Sequence, residues 1–436
     1  MHLKDLNGKR VIILGFGREG RAMLDVLAKV NADVTIGDQS EKLIVNSEKL
    51  KVNTQVGSKY LQNLDKFEVI IKSPGIPPCP ELDAVGDKLT NSTQIFLDTV
   101  MEAGSTVIGV TGSKGKSTTV SLIHEILKNA GKKSYLVGNI GEPSITYVDK
   151  ANEDTYFVLE MSSYQLMHCK TSPQIAVITS FFPEHLDYHG STSLTTSKSP
   201  VENYLDAKKN IARFQTEDDV IFYNSEYEET KTIANESKGQ CKSFSKSDSP
   251  LELKETKLLG EHNLINISAA YAVASHIGVA DADAIEAIKK FEGLPHRLQN
   301  LGKHNGIIWV DDSISTTPET AIAAIDALGD QVETIILGGQ DRGNDFSELG
   351  KLISSSSVKN VILMGESGPR IKQSIESAGA KVRLIEVNNM QEAIEESKQA
   401  TSNQQLVTLL SPASPSYGMY KDFEERGNEF RSCVLS

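Results

Sequence analysis

Gly109-Val110-Thr111-Gly112-Ser113-Lys114-Gly115-Lys116-Ser117-Thr118-Thr119 closes an apolar run over 106–110 with a glycine-rich turn that ends in Lys-Ser. A strand feeding such a turn, with a helix after it, aims successive backbone N–H groups and a helix N-terminus at one point. Lys116 is then placed to reach phosphate oxygens and the Ser117 hydroxyl to reach magnesium, with Gly112, Ser113, Lys114, Gly115 and Thr118 completing the cradle. The stretch predicts nucleoside triphosphate binding. Strict Walker spacing fails, because Val110 rather than glycine stands five positions before Gly115. Taken alone, the turn also reads as an ordinary Gly-Ser loop with a solvated lysine.

The surroundings bound what such a loop can serve. A chain of 436 residues suits about three domains. With 39% hydrophobic and 24% charged residues it reads as a soluble globular protein, and no apolar run approaches the roughly 20 residues of a membrane span. The first ten residues lack the apolar core and cleavage site of an export signal, so the expected location is cytoplasmic. A net charge of -13 argues against broad nucleic-acid binding, so anionic ligands must be held locally by loop amides and helix ends. Cys79, Cys169, Cys241 and Cys433 lie far apart, without zinc or disulfide spacing, and read as reduced thiols.

Upstream, a strand over 10–14 runs into Gly15-Phe16-Gly17-Arg18-Glu19-Gly20, a helical run to about Val30, and a second strand ending at Asp38. That order is the dinucleotide fingerprint and points, from these residues alone, to NAD and an oxidoreductase. A strand over 69–72 ends in Ser73-Pro74-Gly75-Ile76-Pro77-Pro78, which is either plain turn chemistry or one wall of a ligand crevice.

Downstream, strands over 156–160 and 175–179 alternate with a helix over about 203–214, and residues 191–200 read as a loop insertion. Residues 226–257 are polar enough to suggest short irregular surface strands. The alternation restarts with strands over 306–311, 333–337, 360–364 and 405–410 and a helix from about Pro318. The expected fold is α/β with three domains: a Rossmann-like 1–98, a central mononucleotide-binding sheet over 99–298, and a Rossmann-like 299–436.

Two strand ends add chemistry beside the phosphate loop. Glu160, before Met161-Ser162-Ser163, stands where a magnesium ligand belongs, although a strand-end acid paired with a lysine is the competing reading. Thr179-Ser180-Phe181-Phe182-Pro183-Glu184-His185-Leu186-Asp187 follows the next strand and brings His185 to the same edge.

Taken together, several motifs resemble the muramyl (Mur) ligases over essentially the whole chain: Thr111-Gly112-Ser113-x-Gly115-Lys116-Ser117, Glu160 before Ser162-Ser163, Glu184-His185-Leu186-Asp187, Ala207-Lys208, Glu261-His262-Asn263 with Asn266, and Leu294-Pro295-His296-Arg297. The segments Gly338-Gly339-Gln340-Asp341-Arg342-Gly343-Asn344-Asp345-Phe346 and Leu410-Ser411-Pro412-Ala413-Ser414-Pro415-Ser416-Tyr417 look like those of the glutamate-adding branch.

The resemblance implies an ATP-dependent ligase joining UDP-N-acetylmuramoyl-L-alanine to D-glutamate, with L-glutamate as the alternative, through an acyl phosphate in peptidoglycan precursor synthesis. It implies two Mg²⁺ sites, one on Ser117 and Glu160 and one on His185 and Lys208, the lysine being carbamylated. Without the family match, Lys208 reads as a solvated helix lysine. Asn263 and Asn266 on an amphipathic helix, with Arg297 and Asp312, are carried over as ATP contacts. Gly15, Gly17, Arg18, Gly20, Asp38, Gln39, Ser73 and Gly75 become UDP-site candidates, with Asn139 and Ser162 also on the substrate side, which displaces the NAD reading. Thr316, Arg342, Ser416, Tyr417 and Phe423 line the incoming amino acid. Ile314, Arg342, Pro415 and Gly418 depart from the commoner pattern and leave D- against L-glutamate open, and the stretch between His185 and Lys208 is longer than usual. A monomer is expected from family precedent. An NAD-dependent Rossmann oxidoreductase and a nucleotide-binding structural protein without turnover remain the alternatives from other classes.

Overall fold

The computed structural model describes residues 1–42, 52–190, 198–401 and 406–436. The first sheet holds β1 (Arg10–Leu14), β2 (Asp33–Asp38), β3 (Asn53–Val56), β4 (Val69–Lys72) and β5 (Leu89–Thr90) in the order β3-β2-β1-β4-β5, all parallel. The second holds β6 (Thr106–Thr111), β7 (Lys133–Gly138), β8 (Thr155–Glu160), β9 (Ile175–Ile178), β10 (Val220–Asn224) and β11 (Gln240–Phe244). Its order is β11-β10-β9-β6-β8-β7, again all parallel. The third comprises β12 (Gln299–His304), β13 (Ile307–Asp311), β14 (Val332–Gly338), β15 (Asn360–Met364), β16 (Arg383–Glu386) and β17 (Val407–Leu410). Its order is β12-β13-β17-β14-β15-β16, parallel except for the antiparallel β12–β13 pair. The α/β class expected from the alternation is therefore what the chain adopts.

Uninterrupted apolar runs such as Val11-Ile12-Ile13-Leu14 suit strands covered on both faces, and these residues are buried. In each of the first two sheets the chain reverses its winding direction beside the strand that feeds a glycine turn, β1 and β6. Such a switch point opens a crevice at the carboxyl ends of the strands.

Two compact units divide the chain: residues 1–250 with 264–288, and residues 251–263 with 289–436. Within the first, one apolar cluster runs through both sheets, and Phe96 meets Phe157 edge-to-face at 5.1 Å. Each of the three segments 1–98, 99–298 and 299–436 contains one sheet, and we keep that three-part division as a proposal. Residues 251–263, read from the sequence as part of the middle segment, cluster with the later unit instead.

Several expectations need correction. Residues 226–257 form a helix (Glu228–Ala234) and β11, not irregular strands. The few apolar residues suffice because Thr230, Ile233 and Ala234 fall on one buried helix face. The helix expected over 203–214 runs Pro200–Lys209, started by a Ser199 capping box with Pro at its first turn. The helix His262–His276 is not amphipathic through its middle, where residues 266–270 are all buried. Residues 191–197 of the expected insertion, and Gln405 of the last expected strand, lie outside the described residues. β3, β5, β7, β10, β12 and β16 had no reading in the sequence.

Candidate active site

The phosphate loop joins β6 to the helix Lys116–Asn129. Gly115 caps that helix in the left-handed region at φ 86°, and a Cβ there would lie 2.4 Å from Asn266 Oδ1. Only glycine fits both demands. Lys116 Nζ donates to the carbonyls of Gly112 and Ser113 at 2.8 and 2.7 Å, so its ammonium lies over the loop. Ser113 Oγ bonds the Phe182 carbonyl and Tyr204 Oη, tying the loop to the segment after β9 and to the Pro200–Lys209 helix. Lys114 Nζ pairs with Glu184 at 2.7 Å. Ser117 and Thr118 are half-buried in the first helical turn.

Lys208 is buried, and its Nζ donates to the Gly112 carbonyl at 3.0 Å and to Thr111 Oγ1 at 3.4 Å. Solvent exclusion lowers its pKa well below that of an ordinary lysine, with the Lys116 charge adding to the effect. Its ammonium also sits 4.7 Å from the Tyr204 ring centre, one helical turn earlier. His185 takes a left-handed backbone at φ 58°, and its pKa is lowered first by burial and further by Lys116 and Lys208, against the opposing pull of Glu184.

Glu160 ends β8, in register with Val110 on one side and Gly138 on the other. Its Oε1 accepts from Asn139 Nδ2 at 2.9 Å, while its buried Oε2 has no hydrogen-bond partner. No lysine pairs with it among the described residues. An orphaned buried carboxylate oxygen is costly unless a cation completes it. Among the described residues no group of three His, Cys, Asp or Glu side chains is set to hold a metal. A lone carboxylate oxygen suits magnesium, which keeps waters and substrate phosphates as its remaining ligands.

A cavity of about 420 Å³ is lined by Gly15, Arg18, Asp38, Ser73, Gly75 and by Asn139, the partner of Glu160, among others. Gly20 packs against the turn so closely that a Cβ would fall 2.1 Å from the Gly15 carbonyl oxygen. Asp38 accepts from the backbone N–H groups of Phe16 and Ser40, leaving its carboxylate engaged in the turn. Gln39 is exposed beyond it. Ser73 Oγ donates to the Gly15 carbonyl, closing β1 onto β4. Ser162 caps the short helix Ser163–Leu166 with Gln165. Asn266 accepts from Thr119 Oγ1 at 3.3 Å, behind the loop helix.

The second unit carries its own cluster at the ends of β13 and β17. Asp312 accepts from Leu298 N, Ser315 Oγ and Ser411 Oγ. Burial raises its pKa to about 6. Buried Arg426 donates to Ser313 and to the Ser414 carbonyl, fixing the serine-rich segment. Arg342 lies 5.3 Å from the ring centre of the exposed Tyr417, Ser416 is buried, Thr316 is half-buried, and the Phe423 carbonyl accepts from Ser313 Oγ. Arg297 is exposed, and Asn263 donates to the Leu259 carbonyl.

Comparison with known proteins decides the family. Residues 110–274 match the Mur ligase middle domain, and residues 296–413 match the Mur ligase glutamate ligase domain. The UDP-N-acetylmuramoylalanine--D-glutamate ligase of Streptococcus mutans is 34% identical over 464 residues, covering 100% of this chain and 99% of the relative. The chain belongs to the Mur ligase family. The Ruminiclostridium cellulolyticum relative of the same name is 34% identical over 469 residues, covering 99% of this chain and 97% of its own. Among solved structures, Thermotoga maritima UDP-N-acetylmuramate-alanine ligase MurC shares the fold with a TM-score of 0.57 at 19% identity, covering 97% and 98% of the two chains. MurF ligase from the same organism, solved with ADP, gives 0.57 at 16% identity, covering 100% and 97%.

In this Mur ligase the first unit brings Lys116, Lys208 and His185 together around one loop, with Glu160 on the adjoining strand. Thr111 and Lys72 drew no reading as site residues in the sequence. A lysine one residue before Ser73-Pro74-Gly75 was the available signal for the second. Among the described residues no helix is long and apolar enough to cross a membrane.

Proposed function

We propose that this chain couples ATP cleavage to an amide bond between the alanyl carboxylate of UDP-N-acetylmuramoyl-L-alanine and the amine of D-glutamate. The end-to-end 34% identity to a relative named for that activity carries the reading. A carboxylate oxygen attacks the γ-phosphorus and ADP leaves. The glutamate nitrogen then attacks the acyl carbon, releasing inorganic phosphate and a proton.

The residues suit these steps. Loop N–H groups and Lys116 neutralise phosphate charge, the ammonium exchanging carbonyl partners for phosphate oxygens. Bound magnesium would supply further positive charge, with Ser117 and Glu160 holding one ion and His185 and Lys208 a second. Lys208 has the lowered basicity that favours the neutral amine, the form that adds to carbon dioxide and loses a proton to become a carbamate. The cavity bounded by Gly15, Gly17, Arg18, Ser73, Gly75 and Asn139 receives the UDP group, its amides taking the diphosphate. Arg342, Tyr417, Ser416, Thr316 and Phe423 receive the amino acid, the guanidinium fork matching a carboxylate. Asn263, Asn266, Arg297 and Asp312 contact ATP. The enzyme works as a cytoplasmic monomer.

The test is incubation with UDP-N-acetylmuramoyl-L-alanine, Mg-ATP and either glutamate enantiomer. D-glutamate-dependent ADP release with a product heavier by one glutamyl residue is expected. Release with neither enantiomer rejects the ligase, and release with L-glutamate alone reassigns the acceptor.

A further inference from the structure

Lys72 ends β4 and is only 1% exposed, yet no carboxylate pairs with it among the described residues. Its Nζ donates to the Ser73 carbonyl at 3.3 Å and to Tyr188 Oη at 2.9 Å. The phenol in turn donates between the Pro74 and Ile76 carbonyls, at 2.8 and 2.9 Å. Ser73, Pro74 and Ile76 line the 420 Å³ cavity. Tyr188 belongs to the short helix Leu186–Gly190, which starts directly after His185. Its ring packs tilted against Tyr164 with 4.0 Å between centres, and the Tyr164 and His185 ring centres lie 5.1 Å apart. One hydrogen-bonded pair thus connects the wall of the cavity to the backbone that carries His185.

We propose that Lys72 and Tyr188 are positioning residues: they lock the Ser73–Pro74–Ile76 wall to the His185 turn, so that a nucleotide diphosphate seated in the cavity sets where His185 stands at the phosphate loop. The inference deepens the function proposed above and rests on it. Burial lowers the Lys72 pKa to about 8, so the site keeps a charge that a methionine of similar volume would avoid. An anionic ligand on the far side of the Ser73 wall supplies the charge that Lys72 lacks. The cavity itself lines two carboxylates, Glu19 and Asp38, against one guanidinium, Arg18, and a diphosphate there gains from a second cation. The phenol cannot substitute as an anion, because burial raises its pKa.

Hydrogen–deuterium exchange on the full chain with UDP as the probe reads this coupling directly. In the parent protein UDP slows exchange in peptides covering 73–76 and also in those covering 184–190. In Tyr188→Phe, which keeps the ring contact, only 73–76 is protected, and Lys72→Met behaves alike. In turnover, Tyr188→Phe lowers kcat about tenfold or more while KM for the UDP-linked substrate changes less than about threefold. Protection of 184–190 that survives in Tyr188→Phe, or parent protection confined to 73–76, overturns the pairing. Protection of neither segment in the parent overturns the cavity's assignment, and the inference with it. Ligase activity absent from the parent but coupled protection present rejects only the reaction.

Discussion

The ammonium groups of Lys116 and Lys208 converge on one acceptor, the Gly112 carbonyl, at 2.8 and 3.0 Å. Two like charges this close, one of them buried, oppose each other's ionisation. Lys208 yields, since burial is the larger cause of its lowered pKa and Lys116 the second. With labelled bicarbonate, a carbamate carbon signal is expected from the parent protein by NMR and absent from Lys208→Arg, whose ligase activity falls about a hundredfold or more.

Gly115→Ala forces a side chain into a left-handed turn and against Asn266. A loss of about 1–3 kcal/mol in denaturant unfolding is expected. Stabilisation by added ATP, read as a shift in the melting temperature, should shrink or vanish.

Glu160→Gln keeps an oxygen for Asn139 but removes a half-satisfied buried charge. Unfolding stability should hold or rise by about 1 kcal/mol. Magnesium titration of activity should shift about tenfold or more to higher concentration, since the amide is a poorer magnesium ligand.

Asp312 binds its proton more tightly folded, near pH 6, than unfolded, near the ordinary aspartate value. Its contribution to stability is therefore fully present below the unfolded pKa and is lost as pH rises through about 6. The whole loss is about 2–3 kcal/mol. Asp312→Asn lacks this slope, so the stability difference between parent and variant should move in the variant's favour between about pH 4 and pH 7. Paired urea unfolding curves across that range check the sign.

Arg342→Ala leaves Tyr417 without its stacked cation. KM for glutamate should rise about tenfold, with KM for ATP and for the UDP-linked substrate unchanged. Arg342→Lys should fall between the two, because a single ammonium matches a carboxylate less well than the fork does.

Much of the fold and part of the candidate site were legible in consecutive residues. β1 and β6 run into glycine turns whose close backbone contacts admit no side chain, and such local constraints are written in consecutive residues. The order of Glu160, His185 and Lys208 along the chain also carried the family. The Gly15–Gly20 turn has the dinucleotide form, yet Asp38 is engaged by the N–H groups of Phe16 and Ser40.

What consecutive residues could not reveal depends on partners distant in the chain. Residues 226–257 read as short irregular surface strands, and yet they hold a helix, and β11 pairs with β10 along its length. Lys208 looked, without the family match, like a solvated helix lysine, and Lys72 drew no reading; both are buried, Lys208 against Thr111 and Gly112 and Lys72 against Tyr188. Helix, strand and turn propensities act over a few neighbours, so they can be read in order. Burial, the pKa shifts it causes, and which oxygen a given ammonium meets are set by packing between segments a hundred residues apart, and they exist only once the chain has closed.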